Sequence, residues 1–249
     1  MSDLTAAILV IGDEILSGRT KDKNIGYIAD CLNKLGINLR EARIIPDVEE
    51  KIISTVNEMR KEYTYVFTTG GIGPTHDDIT ADCVAKAFGV SISENQEAIS
   101  MLLERIPIDE LNESRRRMAR IPHGATLIEN NISKAPGFHI GNVFVMAGVP
   151  SIMQAMLDVA MGRLKTGQKL FNCNIKTDIK EGELAHILKD AQDKTRTVTI
   201  GSYPYYKEDG VGAANIVCRG KNIDELKYIA GIIKDKLKNI GNVEIGEIS

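Results

Sequence analysis

The sequence predicts an α/β protein with a mostly parallel sheet, followed by a smaller α+β domain. In the first half of the chain, short apolar runs alternate with segments of helical periodicity, as in a parallel sheet with helices on both faces. The pattern changes near residue 166, after which the predicted order is strand, helix, strand, strand, helix, strand. At 249 residues the chain is long enough to bury a core in each of two domains.

The predicted strands of the first domain are short and apolar. AAILVIG is a continuous apolar run, typical of a strand that is covered on both faces, and a polar loop and a helix from about Asn24 follow it. Gly36 ends that helix. A strand through INLREARII, a helix with Val48, Ile52 and Val56 on one face, and a strand YTYVFTT come next. This βαβαβα order predicts that the strands pair in parallel.

The next segment, residues 91–122, is predicted to be irregularly helical. Its basic cluster is typical of a solvated helix face, with phosphate contact as the alternative; the cluster consists of Arg115, Arg116, Arg117 and Arg120. Strands are predicted again at ATLIE and NVFVMAG, and Pro150 suits the first residue of a closing helix.

The second domain has a strand at FNCNIKT, a helix at GELAHILKDAQDK and strands at RTVTIGSY and GAANIVCRG. A helix at NIDELKYIAGIIKDKLKNI and a short strand at NVEI complete it. The longer helix carries an apolar face of Ile223, Leu226, Ala230, Ile233 and Leu237. This is the ferredoxin-like βαββαβ order, and we predict domains at residues 1–166 and 167–249.

Composition excludes several classes of protein. The formal charge of −3 provides no field that favours nucleic acid or an anionic membrane. The apolar segment VFVMAGVPSIMQAMLDVAMG is too polar and broken for a membrane span, and no cationic leader precedes the first strand, so we expect a cytoplasmic protein. The four cysteines lie far apart, which argues against a zinc site or a disulfide framework.

Polar residues follow three successive predicted strands. In an open parallel sheet, ligands bind outside the carboxyl ends of the strands, where the loops meet. GDEILSG follows the first strand, Pro46 and Asp47 follow the second, and TTGGIGPTHDDIT follows the third. We therefore expect these loops to converge on one edge of the sheet.

The glycine motif suits a phosphate. Gly70, Gly71 and Gly73 let backbone amides approach a ligand, and the next helix points its N-terminus at the same place. Asp77 and Asp78 would repel an anion unless a divalent cation such as magnesium lay between them. The motif matches neither G-x-G-x-x-G nor the P-loop, which disfavours dehydrogenases and P-loop ATPases.

Structural roles are the alternative for each of these residues. Asp78 or Thr80 could cap a helix, Asp47 with Glu50 could form a capping box, and the glycines could merely turn the chain. His76 in such a loop is more often a polar contact than a base.

The quoted segments resemble a known family. The resemblance is to the molybdopterin-binding domain of the MoaB and MogA proteins. It is carried by GDEILSG with Asn24, the Pro46–Asp47 pair, TTGGIGPTHDDIT, KAPGF and VFVMAGVP. The GGIGPTHDD form is that of the amino-terminal domain of the competence/damage-inducible protein A (CinA) family, and IGSYPYY resembles that family's small second domain. The resemblance implies a three-layer MoaB/MogA-like domain and a small CinA-type domain.

The resemblance also implies a function. Sites of this family accept a pterin or a nucleotide phosphate, and some members cleave the diphosphate of ADP-ribose or FAD with a divalent metal. It implies Asp78 as the metal-linked or catalytic acid, and Asp47 matches the second acidic position of the molybdopterin proteins. We expect Asp47, Asp77 and Asp78 to be catalytic and Asp13 and Asp78 to hold the metal, which would be Mg, Mn or Co, with K as an additional cation. The implied ligand contacts are Gly12, Asp13, Glu14, Ser17, Gly18, Asn24, Thr69, Gly70, Gly71, Gly73, Pro74, Thr75, Thr80, Lys134, Pro136 and Gly137.

Two departures leave the substrate open. MAGVP stands where the family has L-P-G-V-P, and KAPG stands where it has T-A-P-G. Lys134 in KAPG either adds a phosphate contact or faces solvent. The chain ends at Ser249 without the family's deamidase domain, so we expect no deamidation of nicotinamide mononucleotide.

The leading hypothesis is a metal-dependent nucleotide pyrophosphatase. A molybdopterin-binding or molybdopterin-adenylylating protein and a non-catalytic nucleotide sensor are the alternatives. The expected partner is a small nucleotide or pterin ligand, with no nucleic acid or membrane, in a homo-oligomer of two or three chains.

Overall fold

The computed structural model describes residues 4–207, 210 and 212–248. The chain divides into two compact units, Met1–Gly167 and Gln168–Ser249. Each unit has its own apolar core.

A six-stranded, mostly parallel sheet organises the first unit, as predicted. Four neighbouring strands run parallel, in the order β2 (Asn38–Ile45), β1 (Thr5–Ile11), β3 (Tyr65–Thr69) and β8 (Val143–Met146). The antiparallel strand β7 (Gly137–Ile140) and then β6 (Thr126–Ile128) complete it. Strand β7 was not predicted, because Gly137 and Phe138 were interpreted only as part of the KAPGF motif.

Helices cover both faces of this sheet. The central strand β1 shows why: Ala7, Leu9 and Ile11 lie in one core cluster, and Ala6, Ile8 and Val10 lie in the other. The first cluster includes residues of α3 (Glu49–Glu62) and α4 (Thr80–Phe88), and the second includes residues of α2 (Asn24–Lys34) and α7 (Pro150–Met161). A single helical turn, α1 (Asp13–Leu16), occupies part of the predicted polar loop after β1.

The segment predicted to be irregularly helical also contains two strands. A short antiparallel pair, β4 (Ile92–Glu94) and β5 (Arg120–Pro122), brackets α5 (Gln96–Leu103), a 3-10 turn at Ile108–Glu110 and α6 (Glu113–Arg117). Asn95 and Asn112 cap the two α-helices by accepting backbone N–H bonds of 3.0 Å. Three-residue strands carry too little periodicity to be predicted from sequence.

The second unit has the predicted βαββαβ order. Its antiparallel sheet has the strand order β10 (Val198–Tyr206), β11 (Gly212–Gly220), β9 (Phe171–Thr177), β12 (Val243–Ile245). Helices α8 (Glu181–Gln192) and α9 (Ile223–Leu237) contribute to its core. The apolar face predicted for α9 is buried at Leu226, Ala230, Ile233 and Leu237.

The four cysteines are buried and free. In the described part of the chain, no helix is both long enough and apolar enough to cross a membrane.

Candidate functional site

Loops from the four parallel strands meet at one edge of the first unit's sheet. The amide of Gly12, just after β1, donates to the carbonyl of Ile45 at the end of β2 over 3.1 Å. The amide of Gly70, just after β3, donates to the carbonyl of Met146 at the end of β8, also over 3.1 Å. These bonds join the ends of neighbouring strands, and the glycine motif lies against β1, since a Cβ on Gly70 would lie 2.1 Å from the Ile11 carbonyl oxygen.

The Asp47 carboxylate is directed at the neighbouring loop. Its Oδ2 accepts a 3.0 Å hydrogen bond from the backbone amide of Asp13. Helix α3 begins after Val48 and has no side-chain cap, so the alternative of a capping box between Asp47 and Glu50 is wrong. Asp47 thus joins the loops that follow β1 and β2.

Several carboxylates share this region. Burial is the main cause that raises the pKa of Asp47, and the nearby carboxylates of Asp13, Glu14 and Asp77 raise it further. The hydrogen bond from the Asp13 amide acts in the opposite direction. This edge of the sheet is therefore acidic, and a cation would relieve the repulsion between its carboxylates.

The glycine motif brings the backbone close to Asp47 and Thr80. Gly70 and Gly71 have φ values of 101° and 67°, which favour glycine. A Cβ on Gly71 would lie 2.1 Å from Thr80 Oγ1 and 3.5 Å from Asp47 Oδ1, so only glycine fits between them. Thr80 is fully buried, and its Oγ1 has no hydrogen-bond partner among the described residues.

Asp77 and Asp78 follow in an exposed loop. Asp78 Oδ2 accepts hydrogen bonds from the amide and the hydroxyl of Thr75, at 2.8 and 2.5 Å, so this carboxylate folds back over the loop. The neighbouring Thr75 side chain lowers the pKa of Asp77, whose side chain is 65% exposed. Helix α4 begins after Ile79 without a side-chain cap, so the capping role considered for Asp78 or Thr80 is not observed.

Asn24 links helix α2 to the same edge. It is only 4% exposed, and its Nδ2 donates to the carbonyl of Gly148 over 2.9 Å. Gly148 packs against Gly70, since a Cβ on Gly148 would lie 3.3 Å from the Gly70 Cα. Asp22, which was not among the predicted site residues, caps α2 by accepting from the amides of Asn24 and Ile25. The signal for it was an aspartate two residues before the helix start.

Other predicted site residues have local roles in the structure. Ser17 donates to the carbonyl of Glu14 over 3.3 Å, and Gly18 has a φ of 73° in the turn after α1. Thr69, at the end of β3, is buried with no partner for its hydroxyl among the described residues. Pro74 and Thr75 lie in the exposed part of the loop.

The KAPG segment leads into β7, the strand next to β8, and only its last residue, Gly137, belongs to that strand. Lys134 has a φ of 62°, and its Nζ pairs with Glu104 at 2.6 Å rather than facing solvent alone. Gly137 packs against β8, because a Cβ there would lie 2.3 Å from the carbonyl oxygen of Val145. Pro136 lines a small cavity of about 10 Å³ together with Gly73 and Asp78.

The described residues contain no group of three or more histidine, cysteine, aspartate or glutamate side chains that could hold a metal ion. The acidic oxygens at the edge are those of Asp13, Glu14, Asp47 and Asp77. A cation bound here would therefore need oxygens from a ligand or water in addition to those of the protein.

Comparison with known sequences identifies the family. Residues 7–166 match the family described as a probable molybdopterin binding domain. The chain belongs to the molybdopterin-binding domain family. Residues 169–244 match a second family, described as the middle domain of FAD synthase.

Relatives of this chain include proteins of different length. A protein from Archaeoglobus fulgidus is 32% identical over 203 residues, which cover 79% of this chain and 84% of that protein. A probable FAD synthase from Caenorhabditis elegans is 34% identical over 229 residues, 82% of this chain but 44% of the relative. Proteins from Saccharolobus islandicus are 38% identical, and the match spans 61% of their length.

Among solved structures, the CinA protein of unknown function from Thermoplasma acidophilum is 31% identical. The superposition has a TM-score of 0.61 and covers 65% of this chain and 97% of that one. The resemblance of this molybdopterin-binding domain to the CinA form is thus confirmed.

Proposed function

We propose that this chain is a metal-dependent nucleotide pyrophosphatase that hydrolyses an ADP-ribose-like or FAD-like diphosphate. The observation that supports it most is the position of the Asp47 carboxylate, 3.5 Å from where a Cβ of Gly71 would lie. The glycine motif, whose amides would bind a phosphate, thus lies beside a cluster of carboxylates, and a cation would bridge the two.

The donor atoms at this edge of the sheet fit a hard divalent cation. They are carboxylate oxygens together with the buried, unpartnered hydroxyl of Thr80, and oxygen ligands suit Mg and Mn. Asp13 and Asp78 would hold the ion, which leaves Asp47 free to act on water. Magnesium normally keeps several waters and binds through one or two carboxylates plus substrate phosphates, which agrees with so small a protein donor set.

The protein residues have separable roles in the proposed hydrolysis. The bound cation would supply charge neutralisation and a more acidic water. Amides of Gly71 and Gly73 would donate to phosphate oxygens and stabilise the charge that develops on them, whereas the Gly70 amide already donates to the Met146 carbonyl. Asp47, whose pKa is raised, or Asp77 would accept the proton from water as it attacks phosphorus. The bond to the bridging oxygen then breaks, releasing AMP and a second monophosphate.

Two comparisons support a nucleotide diphosphate as the substrate class. The second unit matches the middle domain of FAD synthase, and the relative from Caenorhabditis elegans is a probable FAD synthase. FAD contains an adenylyl group joined through a diphosphate, as ADP-ribose does.

The test incubates the purified protein with ADP-ribose, FAD or NAD in the presence of Mg, Mn or Co, with and without K. We expect chromatography to show AMP, and we expect EDTA to abolish its formation. Asp47→Asn should lower kcat by about 100-fold or more, because a general base contributes at least that much. Asp30→Asn, an exposed change on α2, is the matched control. Absence of AMP with every metal, or an unimpaired Asp47→Asn, would refute the proposal.

The second candidate is a molybdopterin-binding or molybdopterin-adenylylating protein, which the family match over residues 7–166 favours. Pterin fluorescence in the purified protein, or transfer of AMP from ATP to molybdopterin, would support it. Tight nucleotide binding without turnover would instead indicate a sensor. Light scattering would test the predicted dimer or trimer.

A further inference from the structure

The basic cluster on α6 and β5 contains one arginine that differs from the others. Three of the four arginines pair with carboxylates at 2.7 to 2.9 Å: Arg115 with Glu110, Arg116 with Glu94 and Arg120 with Asp82. Arg117 has no carboxylate partner within the described residues. These three pairs are ordinary surface ion pairs, and Arg117 needs a separate explanation.

Arg117 points at the loop that carries the paired aspartates. Its Nη2 donates to the backbone carbonyl of Asp78 over 3.2 Å. Its Nε is buried and has no partner in the described part of the chain. The side chain also lines the small cavity beneath Gly73 and Asp78. Because a guanidinium stays protonated at all physiological pH values, this places a permanent positive charge behind the loop.

The loop is otherwise held by bonds within itself. Thr75 donates to the Asp78 carboxylate, the Asp78 amide donates to the Thr75 carbonyl over 3.2 Å, and Ile79 donates to Asp77 over 2.9 Å. Residues 74–77 are exposed. Among the described residues, the bond from Arg117 is the one hydrogen bond that ties residues 73–78 to a distant segment of the chain.

We propose that Arg117 is a positioning residue for the site. By holding the Asp78 carbonyl, it fixes the Asp77 and Asp78 carboxylates relative to the glycine motif. A hydrogen bond from a charged donor is stronger than a neutral one, and displacing a reacting group by about 1 Å costs on the order of a hundredfold in rate. The inference rests on the proposed function, because that function gives the two carboxylates their task.

The experiment compares Arg117→Ala with Arg116→Ala in the full chain. Arg116 lies on the same helix and is paired with Glu94, so it is the matched control. We expect Arg117→Ala to lower kcat for the substrate that wild type cleaves by about 10- to 100-fold, the worth of one charge-assisted hydrogen bond. KM should change less. The kcat of Arg117→Lys, which keeps the charge without the planar fork, should lie between those of wild type and Arg117→Ala.

Chemical rescue separates positioning from a general loss of stability. Low concentrations of ethylguanidinium should restore part of the lost rate in Arg117→Ala and none in Arg116→Ala. A variant that is merely less stable would lose activity further, since guanidinium compounds weaken folding. If wild type is active and Arg117→Ala has an unchanged kcat, or an impaired kcat that ethylguanidinium fails to rescue, the inference is overturned.

Hydrogen exchange provides a readout that does not depend on activity. In Arg117→Ala, the hydrogen-bonded amides of Asp78 and Ile79 should exchange at least about tenfold faster than in wild type and in Arg116→Ala. Unchanged exchange would overturn the positioning role. If wild type cleaves no nucleotide but exchange accelerates as expected, the proposed function fails while the anchoring of the loop stands.

Discussion

Gly71 and Gly89 have nearly the same backbone conformation, with φ values of 67° and 66°, in very different surroundings. A Cβ on Gly89 would meet nothing within 4 Å, whereas one on Gly71 would lie 2.1 Å from Thr80 Oγ1. Gly89→Ala should therefore cost about 1 kcal/mol of unfolding free energy, for the left-handed conformation alone. Gly71→Ala should cost about 1 to 3 kcal/mol more, because the site is overpacked. Urea unfolding of the two variants measures the difference.

Removing the Thr80 hydroxyl tests the cause of that difference. In the double variant Gly71→Ala/Thr80→Ala, the extra loss should be smaller than the sum of the single losses. Additive losses, or equal losses for Gly71→Ala and Gly89→Ala, would show that the loop moves aside without strain.

Asp47 gives a prediction about pH. Its pKa is raised above the ordinary value of 3.8, first by burial and then by neighbouring carboxylates. Between 3.8 and the raised value the folded state binds more protons than the unfolded state, so stability falls as pH rises through that window. Asp47→Asn removes this penalty, and an asparagine oxygen can still accept from Asp13. The Tm of Asp47→Asn should exceed that of wild type near neutral pH.

The same series of melts contains its own control. The difference in Tm should shrink as pH approaches 3.8, where Asp47 is increasingly neutral in both states. Magnesium should raise the Tm of wild type more than that of Asp47→Asn, because the Asp47 charge lies beside the other carboxylates of the proposed ion site. A lower Tm for Asp47→Asn at neutral pH without metal would contradict the assigned cause of the pKa shift.

At this scale, the sequence predicted where the site residues lie but not which way they point. Parallel strands bring their carboxyl ends together, so the placement of Asp47 and Gly71 follows from the order of the elements. The partner of the Asp47 carboxylate lies 34 residues earlier in the chain, and no local pattern reveals it. Likewise, Lys134 pairs with Glu104 in a contact that depends on tertiary structure.

Between elements, Asn24 joins the start of α2 to the loop after β8. Asn24→Ala removes the donor to the Gly148 carbonyl and should lower the unfolding free energy by about 1 to 3 kcal/mol. Asn24→Asp should cost more, because a carboxylate oxygen would then face a carbonyl oxygen in a buried place. Urea unfolding of both variants gives the order.

Asn33, exposed on the same helix, is the control position. Asn33→Ala and Asn33→Asp should change the unfolding free energy by less than about 0.5 kcal/mol. If Asn24→Asp were as stable as Asn24→Ala, the side chain would not be fixed against Gly148.

Long, periodic elements were predictable, and short ones were not. The buried face of α9 follows from apolar residues at helical spacing over 15 residues. Strands β4 and β5 have three residues each, too few to show an alternation. Strand β4 leads into α5, which packs into the core through Ala98 and Leu102, a contact that only the folded chain makes.

At the scale of the whole molecule, the apolar cores are separate. The clusters on the two faces of the large sheet contain residues up to Leu164, and the third cluster begins at Phe171. The change of sequence pattern near residue 166 reflects this, because each order of strands and helices builds its own sheet.

We therefore predict that each unit folds alone. A fragment that ends at Gly167 keeps two contacts at its last residue: the Gly167 amide donates to Leu35 over 2.8 Å, and its Cα packs closely against Gly36. Residues 1–167 should unfold cooperatively and retain the proposed site, since every residue assigned to it lies in that range. Residues 168–249 should also fold, with a lower Tm, because a smaller domain buries a smaller fraction of its surface. Circular dichroism melts and amide NMR spectra of the two fragments test this, and a fragment with collapsed amide dispersion would show that its core is not sufficient by itself.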